Sequence, residues 1–304
     1  MDKFSWGEIE RVNPEQPAAP LVKIIKETCS LGGAANVANN IISLNAKCDL
    51  YSVIGKDASG NRIKKLCRQK KINFKYFYNN SGTLVKQRIM AHGQQITRAD
   101  YGEENLEKIN ISTQNKILKK LKTQFKETKY DAVILSDYNK QIFSGKFSHE
   151  LIKLFNKYRV QTFVDPKPKN IDYFKNCALI SPNKTEASLI TGIKYSKDSL
   201  NSMGKVICER LNSQYSIITC SENGVFVYRK DGKSKLIGTN VREVSNPTGA
   251  GDTFLATLTL SMLSGASLTE ACEIANYASG VVVEKAGTAT LNIEELIERI
   301  KFDN

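Results

Sequence analysis

Much of what this chain could be is excluded by what it has little of. No apolar run approaches the roughly 20 residues that cross a bilayer, so no membrane-spanning helix is expected. The start, Met1-Asp2-Lys3-Phe4-Ser5-Trp6, shows no basic stretch followed by an apolar one, so no secretory leader is expected there. Histidine occurs only at His92 and His149, too few for a histidine-based metal centre. Cysteine is present seven times (Cys29, Cys48, Cys67, Cys177, Cys208, Cys220, Cys272), but scattered and without a CxxC pair. An odd, dispersed set excludes a disulfide framework or a zinc knuckle and points to reduced thiols in a cytoplasmic protein. Acid is short against base, 31 against 44, giving a net charge of +13. The densest cations, Lys64, Lys65, Arg68, Lys70 and Lys71, then Lys116, Lys119, Lys120 and Lys122, fall on amphipathic helices and read as solvated faces. No nucleic-acid motif accompanies them, so neither nucleic acid nor membrane is expected as a partner. A basic protein would suit an anionic, phosphorylated substrate.

What is present centres on Asn246-Pro247-Thr248-Gly249-Ala250-Gly251-Asp252-Thr253-Phe254. A strand-like run, Val241–Val244, precedes it and an apolar helical run, Thr253–Leu263, follows. A glycine-rich turn opening a helix directs several N–H groups and the positive end of the helix dipole at one spot. That spot suits a phosphate or a developing oxyanion. Asp252 in the same turn would serve as a base, and a base beside a phosphate cradle is what phosphoryl transfer to a hydroxyl needs. A helix start with Asp252 as a capping carboxylate fits the local residues equally well.

The rest of the chain alternates strands and helices. Leu21–Ile25 reads as a short strand among prolines (Pro14, Pro17, Pro20) that suit a sheet edge. Leu31-Gly32-Gly33-Ala34-Ala35-Asn36 opens a helix and allows close backbone approach, either to a ligand or to a packed strand. Asp49–Ile54 reads as a strand and Gly60–Lys70 as a helix. Phe74, Tyr76 and Tyr78, then Thr83–Ala91, alternate on either side of Asn79-Asn80-Ser81-Gly82 and read as a hairpin. Strands are then expected at Ala132–Ser136, Gln161–Val164, Ala178–Ser181 and Ser216–Thr219, with intervening helices. A hairpin (Val225–Tyr228, Lys235–Gly238) follows, and then the glycine-rich turn. This order implies a helix-covered, mostly parallel sheet, whose ligands gather at the carboxyl ends of the strands. Polar residues recur there: Asp137, Asp165 with Lys167, Asn183 with Glu186, Thr219 with Ser221, and Asp252.

Gly32-Gly33-Ala34-Ala35-Asn36 and Asn246 to Thr253 resemble the two signatures of the ribokinase-like (PfkB) sugar kinases, over nearly the whole chain. Several features look most like the heptose-phosphate kinases of that family: Trp6-Gly7, Asn13-Pro14-Glu15, Leu31 to Ala38, Ser136-Asp137-Tyr138-Asn139-Lys140, Asp165-Pro166-Lys167 and Gly287-Thr288-Ala289-Thr290. The resemblance implies a three-layer α/β/α core with a mostly parallel sheet (27–71 and 101–304) and a small β lid (1–26 and 72–100) that provides a dimer contact. It implies transfer of phosphate from ATP, with Mg2+, to the anomeric oxygen of D-glycero-D-manno-heptose 7-phosphate, a step toward ADP-heptose. Asp252 would be the base, and the N–H groups of Gly249, Ala250 and Gly251 would hold the phosphoryl group. Gly32, Gly33, Asn36 and Asp2 would contact the sugar. Asn183 and Glu186 would act on magnesium near the triphosphate, Glu186 through water, while Thr219, Ser221, Gly224 and Asn276 would contact nucleotide. Asp137, and as cations for the sugar phosphate Arg98, Lys140 and Lys167, complete the candidate set.

The chain also departs from the family. Members begin with a buried strand ending in Gly-Asp ahead of the aspartate matched by Asp2, whereas this sequence opens at Met1-Asp2. The HxGH-type signature of the nucleotidyltransferase domain carried by bifunctional relatives is absent, so that activity is expected on a separate or fused partner. A kinase for another sugar, or a sugar- or nucleotide-binding regulator without turnover, remain alternative readings, because fold does not fix function.

Overall fold

The computed structural model describes the chain except residues 14–15, 104–105, 240–247, 286 and 304; for residues 10–13, 16–19 and 303 it describes the backbone alone. The expected strand Val241–Val244, and Pro14, Glu15, Asn246 and Pro247, lie outside the described residues. In chain order the elements are β1 (Asp2–Asn13), β2 (Gln16–Ser30), α1 (Ala34–Ser43), β3 (Asp49–Ile54), α2 (Ala58–Gln69) and β4 (Asn73–Tyr78). Then come β5 (Val85–Ala91), β6 (Gln94–Tyr101), α3 (Ile111–Glu127), β7 (Ala132–Ser136), α4 (Gly145–Lys157) and β8 (Gln161–Asp165). After a 3-10 segment (Pro168–Phe174) follow β9 (Leu179–Ile180), α5 (Lys184–Thr191), α6 (Leu200–Leu211), β10 (Tyr215–Thr219), β11 (Val225–Arg229) and β12 (Ser234–Ile237). Three helices close the chain: α7 (Ala250–Leu263), α8 (Leu268–Val283) and α9 (Ile293–Asp303).

The central sheet has the order β12-β11-β10-β9-β8-β7, parallel from β7 to β10 and antiparallel from β10 to β12. Successive residues of a strand face opposite sides of a sheet, and here both sides are covered. Phe163, Leu179 and Ile217 meet Leu255 and Leu258 of α7 and Ala271 and Cys272 of α8 on one face. Their neighbours Val164, Ile180 and Ile218 meet Leu151 and Phe155 of α4 and Met203 and Ile207 of α6 on the other. Each of these strand residues is fully buried, and each contributes about 1.5–3 kcal/mol relative to exposure. Two covered faces explain why these strands read as continuous apolar runs rather than as an alternation. All seven cysteines are free, and among the described residues no helix is long and apolar enough to cross a membrane.

A second, four-stranded sheet has the order β2-β1-β5-β6. The short strand expected at Leu21–Ile25 is part of a 15-residue strand. That strand forms an edge of the sheet, the position at which a proline such as Pro20 is tolerated. The expected hairpin of Phe74–Tyr78 with Thr83–Ala91 does not form. Instead β4 runs parallel to β3, from Asp49 opposite Asn73 to Ile54 opposite Tyr78, with α2 as the crossover that parallel pairing requires. The four-stranded sheet therefore draws on residues 2–30 and 85–101, not on 1–26 and 72–100. Helix α1 touches both β3 and β7, tying the β3–β4 pair to the central sheet.

Candidate active site

The turn before α7 requires glycine at its first position. Gly249 caps the helix at φ 89°, a left-handed conformation that costs other residues about 1–2 kcal/mol, and a Cβ there would stand 2.8 Å from Asn36 Nδ2. The first-turn N–H groups of Ala250, Gly251 and Asp252 have no partner within the helix. Nothing lies within 4 Å of the Cβ position of Gly251, so the turn faces open space.

Asp252 is buried and clamped on both oxygens. Its Oδ1 accepts Tyr138 Oη at 2.6 Å and its Oδ2 accepts Asn36 Nδ2 at 2.8 Å. Burial pushes its carboxyl up to about 6; the hydrogen bonds from Tyr138 and Asn36 oppose that rise, Asp2 adds to it and Lys167 opposes it. The frame beneath is rigid: α1 packs on α7, and Thr253 Oγ1 donates to Asn40 Oδ1 at 3.0 Å. A carboxyl poised near 6 suits a general base better than an ordinary surface aspartate does.

Two cavities meet at this carboxylate. The larger, about 490 Å3, is lined on one side by Asp2, Gly32, Gly33, Lys86 and Arg88, and on the other by Asp137, Lys140, Gly249 and Asp252. The smaller, about 170 Å3, holds Asp165, Lys167, Asn183, Glu186, Thr219 and Gly251, and also touches Asp252. Tyr138, Gly249 and Asp252 belong to both walls.

In the larger cavity Asp2 is buried and its Oδ1 accepts Arg88 Nη1 at 2.8 Å. Phe4, in register with Arg88 across the β1–β5 ladder, lies under the guanidinium at 5.4 Å. The side chain of Asp137 is largely committed to its own loop, accepting from Asn139 N at 2.7 Å and Asn170 Nδ2 at 2.9 Å. Lys140 is ion-paired with Glu103 at the cavity margin.

In the smaller cavity Lys167 is ion-paired with Glu186, and its ammonium stands 5.7 Å from the Tyr138 ring centre. Burial works against the Lys167 charge, but Asp165, Glu186 and Asp137 outweigh it and hold its pKa above the ordinary lysine value. Asp165 is pushed well above the usual carboxylate range by burial and by the charges of Asp252, Glu186 and Asp137, against the pull of Lys167. Asn183 and Glu186 form a capping box at the start of α5, and a bridge pairs Asn183 with Thr219.

Most of the expected site residues converge here, but Arg98, Ser221, Gly224, Asn276, Asn36 and Ala250 line neither cavity. Arg98 sits exposed on the edge strand β6 and pairs with half-buried Asp100. The β1-bearing side of the sheet carries its cross-strand partner Arg88 instead. Ser221 and Gly224 form the turn between β10 and β11, where Gly224 is needed because a Cβ would stand 2.0 Å from Ile237 O. Asn276, half-buried on α8, donates to Gly238 O at 2.7 Å. Asn36 reaches Asp252 rather than open cavity. Sequence reasoning passed over Tyr138, Arg88 and Lys86 as site residues, and had Asp165 only as one of the polar strand ends. The strand alternation around Arg88 and the Asp137-Tyr138 step at the end of β7 were the available signals.

Similarity to known proteins agrees with this geometry. Residues 5–295 match the model of the pfkB family carbohydrate kinases. Proteins named Bifunctional protein HldE are 36% identical over 301 residues in Aliarcobacter butzleri (98% of this chain, 62% of the relative) and 40% identical over 299 residues in Campylobacter concisus (97% and 61%). The chain thus spans about three-fifths of the length of these curated relatives. The fold is shared with phosphofructokinase-2 from Escherichia coli, solved in complex with substrates and products, at TM-score 0.78 and 16% identity over 99% of this chain and 95% of that one. It is also shared with Arabidopsis thaliana ribokinase complexed with ribose and ATP, at TM-score 0.75 and 18% identity over 99% and 96%. With the signatures, the fold and the match in agreement, the chain belongs to the pfkB family of carbohydrate kinases.

Proposed function

We propose that this chain transfers the γ-phosphoryl group of ATP to the anomeric hydroxyl of D-glycero-D-manno-heptose 7-phosphate, giving the 1,7-bisphosphate on the route to ADP-heptose, in the cytoplasm. The observation that carries the reading is Asp252, buried, held near neutrality in its acidity and standing where the two cavities meet. The relatives named HldE support the choice of sugar.

The larger cavity takes the sugar phosphate. Asp2 and the backbone at Gly32 and Gly33 face its hydroxyls, and Arg88, Lys86 and Lys140 supply the charge a phosphate dianion requires. The smaller cavity takes the triphosphate end of ATP, with Lys167 as its cation. The sugar hydroxyl gives its proton to Asp252 as its oxygen attacks phosphorus. The N–H groups of Gly249, Ala250 and Gly251 and the dipole of α7 stabilise charge on the transferring group. Positioning and charge neutralisation are the main tasks in this chemistry.

Magnesium fits the smaller cavity in one manner. Among the described residues no group of three or more carboxylate, histidine or cysteine side chains forms a metal cage, but Asp165 and Glu186 share that cavity wall. Two carboxylates suit an ion that keeps most of its waters and its phosphate ligands. Asp165 and Glu186 would hold such an ion through water, and it would neutralise charge on the triphosphate.

We also assign the four-stranded sheet as a lid and as the contact of a homodimer. Leu21, Ile24 and Ile25 on β2 are exposed, Ile25 by 64%. A separate or fused nucleotidyltransferase would act later on the same route. Incubation with ATP, Mg2+ and a panel of sugar phosphates tests the reading through ADP release. Release is expected with the heptose 7-phosphate above fructose 6-phosphate and ribose. Release with none of them, alongside tight ligand binding, would make the chain a binding protein instead.

A further inference from the structure

The catalytic carboxylate is already engaged before a sugar arrives, and its two partners differ. Asn36 is 1% exposed on α1 and is locked in the α1–α7 joint. Tyr138 is half-buried in the loop after β7, where Asn139 and Gln141 adopt φ 53° and 61°. Its ring lies over Gly33, at 3.3 Å from where a Cβ would stand, and forms part of both cavity walls. Its hydroxyl occupies Oδ1 of Asp252 as an acceptor sugar hydroxyl would. It cannot substitute as a nucleophile, because burial and the charges of Asp252 and Asp165 push its pKa well above the ordinary tyrosine value. The phenol donates a hydrogen bond and keeps its proton.

We propose that Tyr138 is a positioning residue that caps Asp252 in the absence of sugar and yields its place to the sugar hydroxyl, so that the base is withheld from water. The proposal rests on the phosphoryl-transfer reading of Asp252. An uncapped Asp252 could take a proton from water while the water oxygen bonds to the γ-phosphorus and the bond from that phosphorus to the ADP oxygen breaks. The products would be ADP and inorganic phosphate, with no sugar consumed. Capping blocks this reaction at its first contact. The other charged groups that act on Asp252 are Asp2 on β1, Asp165 at the end of β8 and Lys167 just beyond it. Among the described residues neither Lys167 nor any other cation donates a hydrogen bond to Asp252, so the cap is specific to Tyr138 and Asn36.

The test is Tyr138→Phe in the full chain, with inorganic phosphate release measured from ATP and Mg2+ alone, and sugar phosphorylation measured separately. Loss of a hydrogen bond to a charged group is expected to raise sugar-independent phosphate release about tenfold. The acid limb of sugar-dependent kcat/KM should move to higher pH, since the Tyr138 hydrogen bond lowers the acidity midpoint of Asp252. Tyr138→Phe with Asp252→Asn should abolish the added phosphate release. Unchanged release in Tyr138→Phe of wild-type melting temperature would overturn the proposal, as would added release that survives in the double variant. A wild-type chain that phosphorylates no sugar would count against the function reading alone, because the ratio of phosphate release between variant and wild type is read without sugar.

Discussion

The two glycine-rich turns, Gly32-Gly33 before α1 and Gly249 to Gly251 before α7, look alike in sequence and meet in space, yet they serve different ends. Both open a helix with a glycine at positive φ and no side-chain cap. The first is packed by protein where a side chain would stand, while its backbone borders the larger cavity. A Cβ on Gly32 would stand 2.3 Å from Asp2 Oδ2, and one on Gly33 would stand 3.3 Å from the Tyr138 ring. The second is closed at Gly249 by Asn36 and empty in front of Gly251. A glycine pair at a helix start can therefore be a joint that lets side chains approach, or a mouth that admits a ligand. On the proposed reading the turn before α7 is such a mouth and the turn before α1 mainly such a joint, with Asp252 between them.

The contrast breaks if the two turns respond alike to an added methyl group. Gly251→Ala should leave the melting temperature unchanged and lower kcat by about 100-fold, because the methyl enters the space of the transferring phosphoryl group and displacements of about 1 Å cost that much. Gly32→Ala should act the other way round. Asp2 must move and its pairing with Arg88 loosens, so stability should fall by about 1–3 kcal/mol, read as a lower melting temperature, with a raised KM for the sugar phosphate. Loss of stability in Gly251→Ala with Gly32→Ala silent would exchange the two roles.

A smaller effect sharpens the chemistry. A carboxylate base works only when ionised, and the Asp252 carboxyl is raised to about 6, so if it is the base kcat/KM should fall as pH drops through about 6. The sign for stability is opposite. A carboxyl raised on folding contributes stability that is complete below its unfolded value and lost as pH rises through the folded value near 6. Activity and this contribution to stability should therefore cross in that window, which parallel pH profiles of turnover and melting would show.

How much of this was legible beforehand depends on how far apart the partners lie in sequence. The central strands were readable because each has both faces buried, and the polar residues at their ends were readable as a repeated position. The pairing of β4 with β3 was not, because Phe74, Tyr76 and Tyr78 alternate just as a hairpin strand would, and only the α2 crossover decides the partner. Arg98 was taken for a site cation, whereas Arg88 is the one that lines the larger cavity. The two oppose each other across one ladder, and the choice turns on which strand lies next to β1 and Asp2. Tyr138 reaches Asp252 across 114 positions, a contact that no local pattern encodes. The glycines of both turns were legible as such, but whether each faces protein or open space was not.

The central claim is that Asp252 takes the hydroxyl proton where the two cavities meet. The most direct measurement is turnover of Asp252→Asn set beside its affinity for ATP and for the heptose 7-phosphate. The account predicts a fall in kcat of about 10²–10⁴-fold, the range of a general base, with both affinities within a few-fold of wild type. Near-normal turnover in that variant would contradict it.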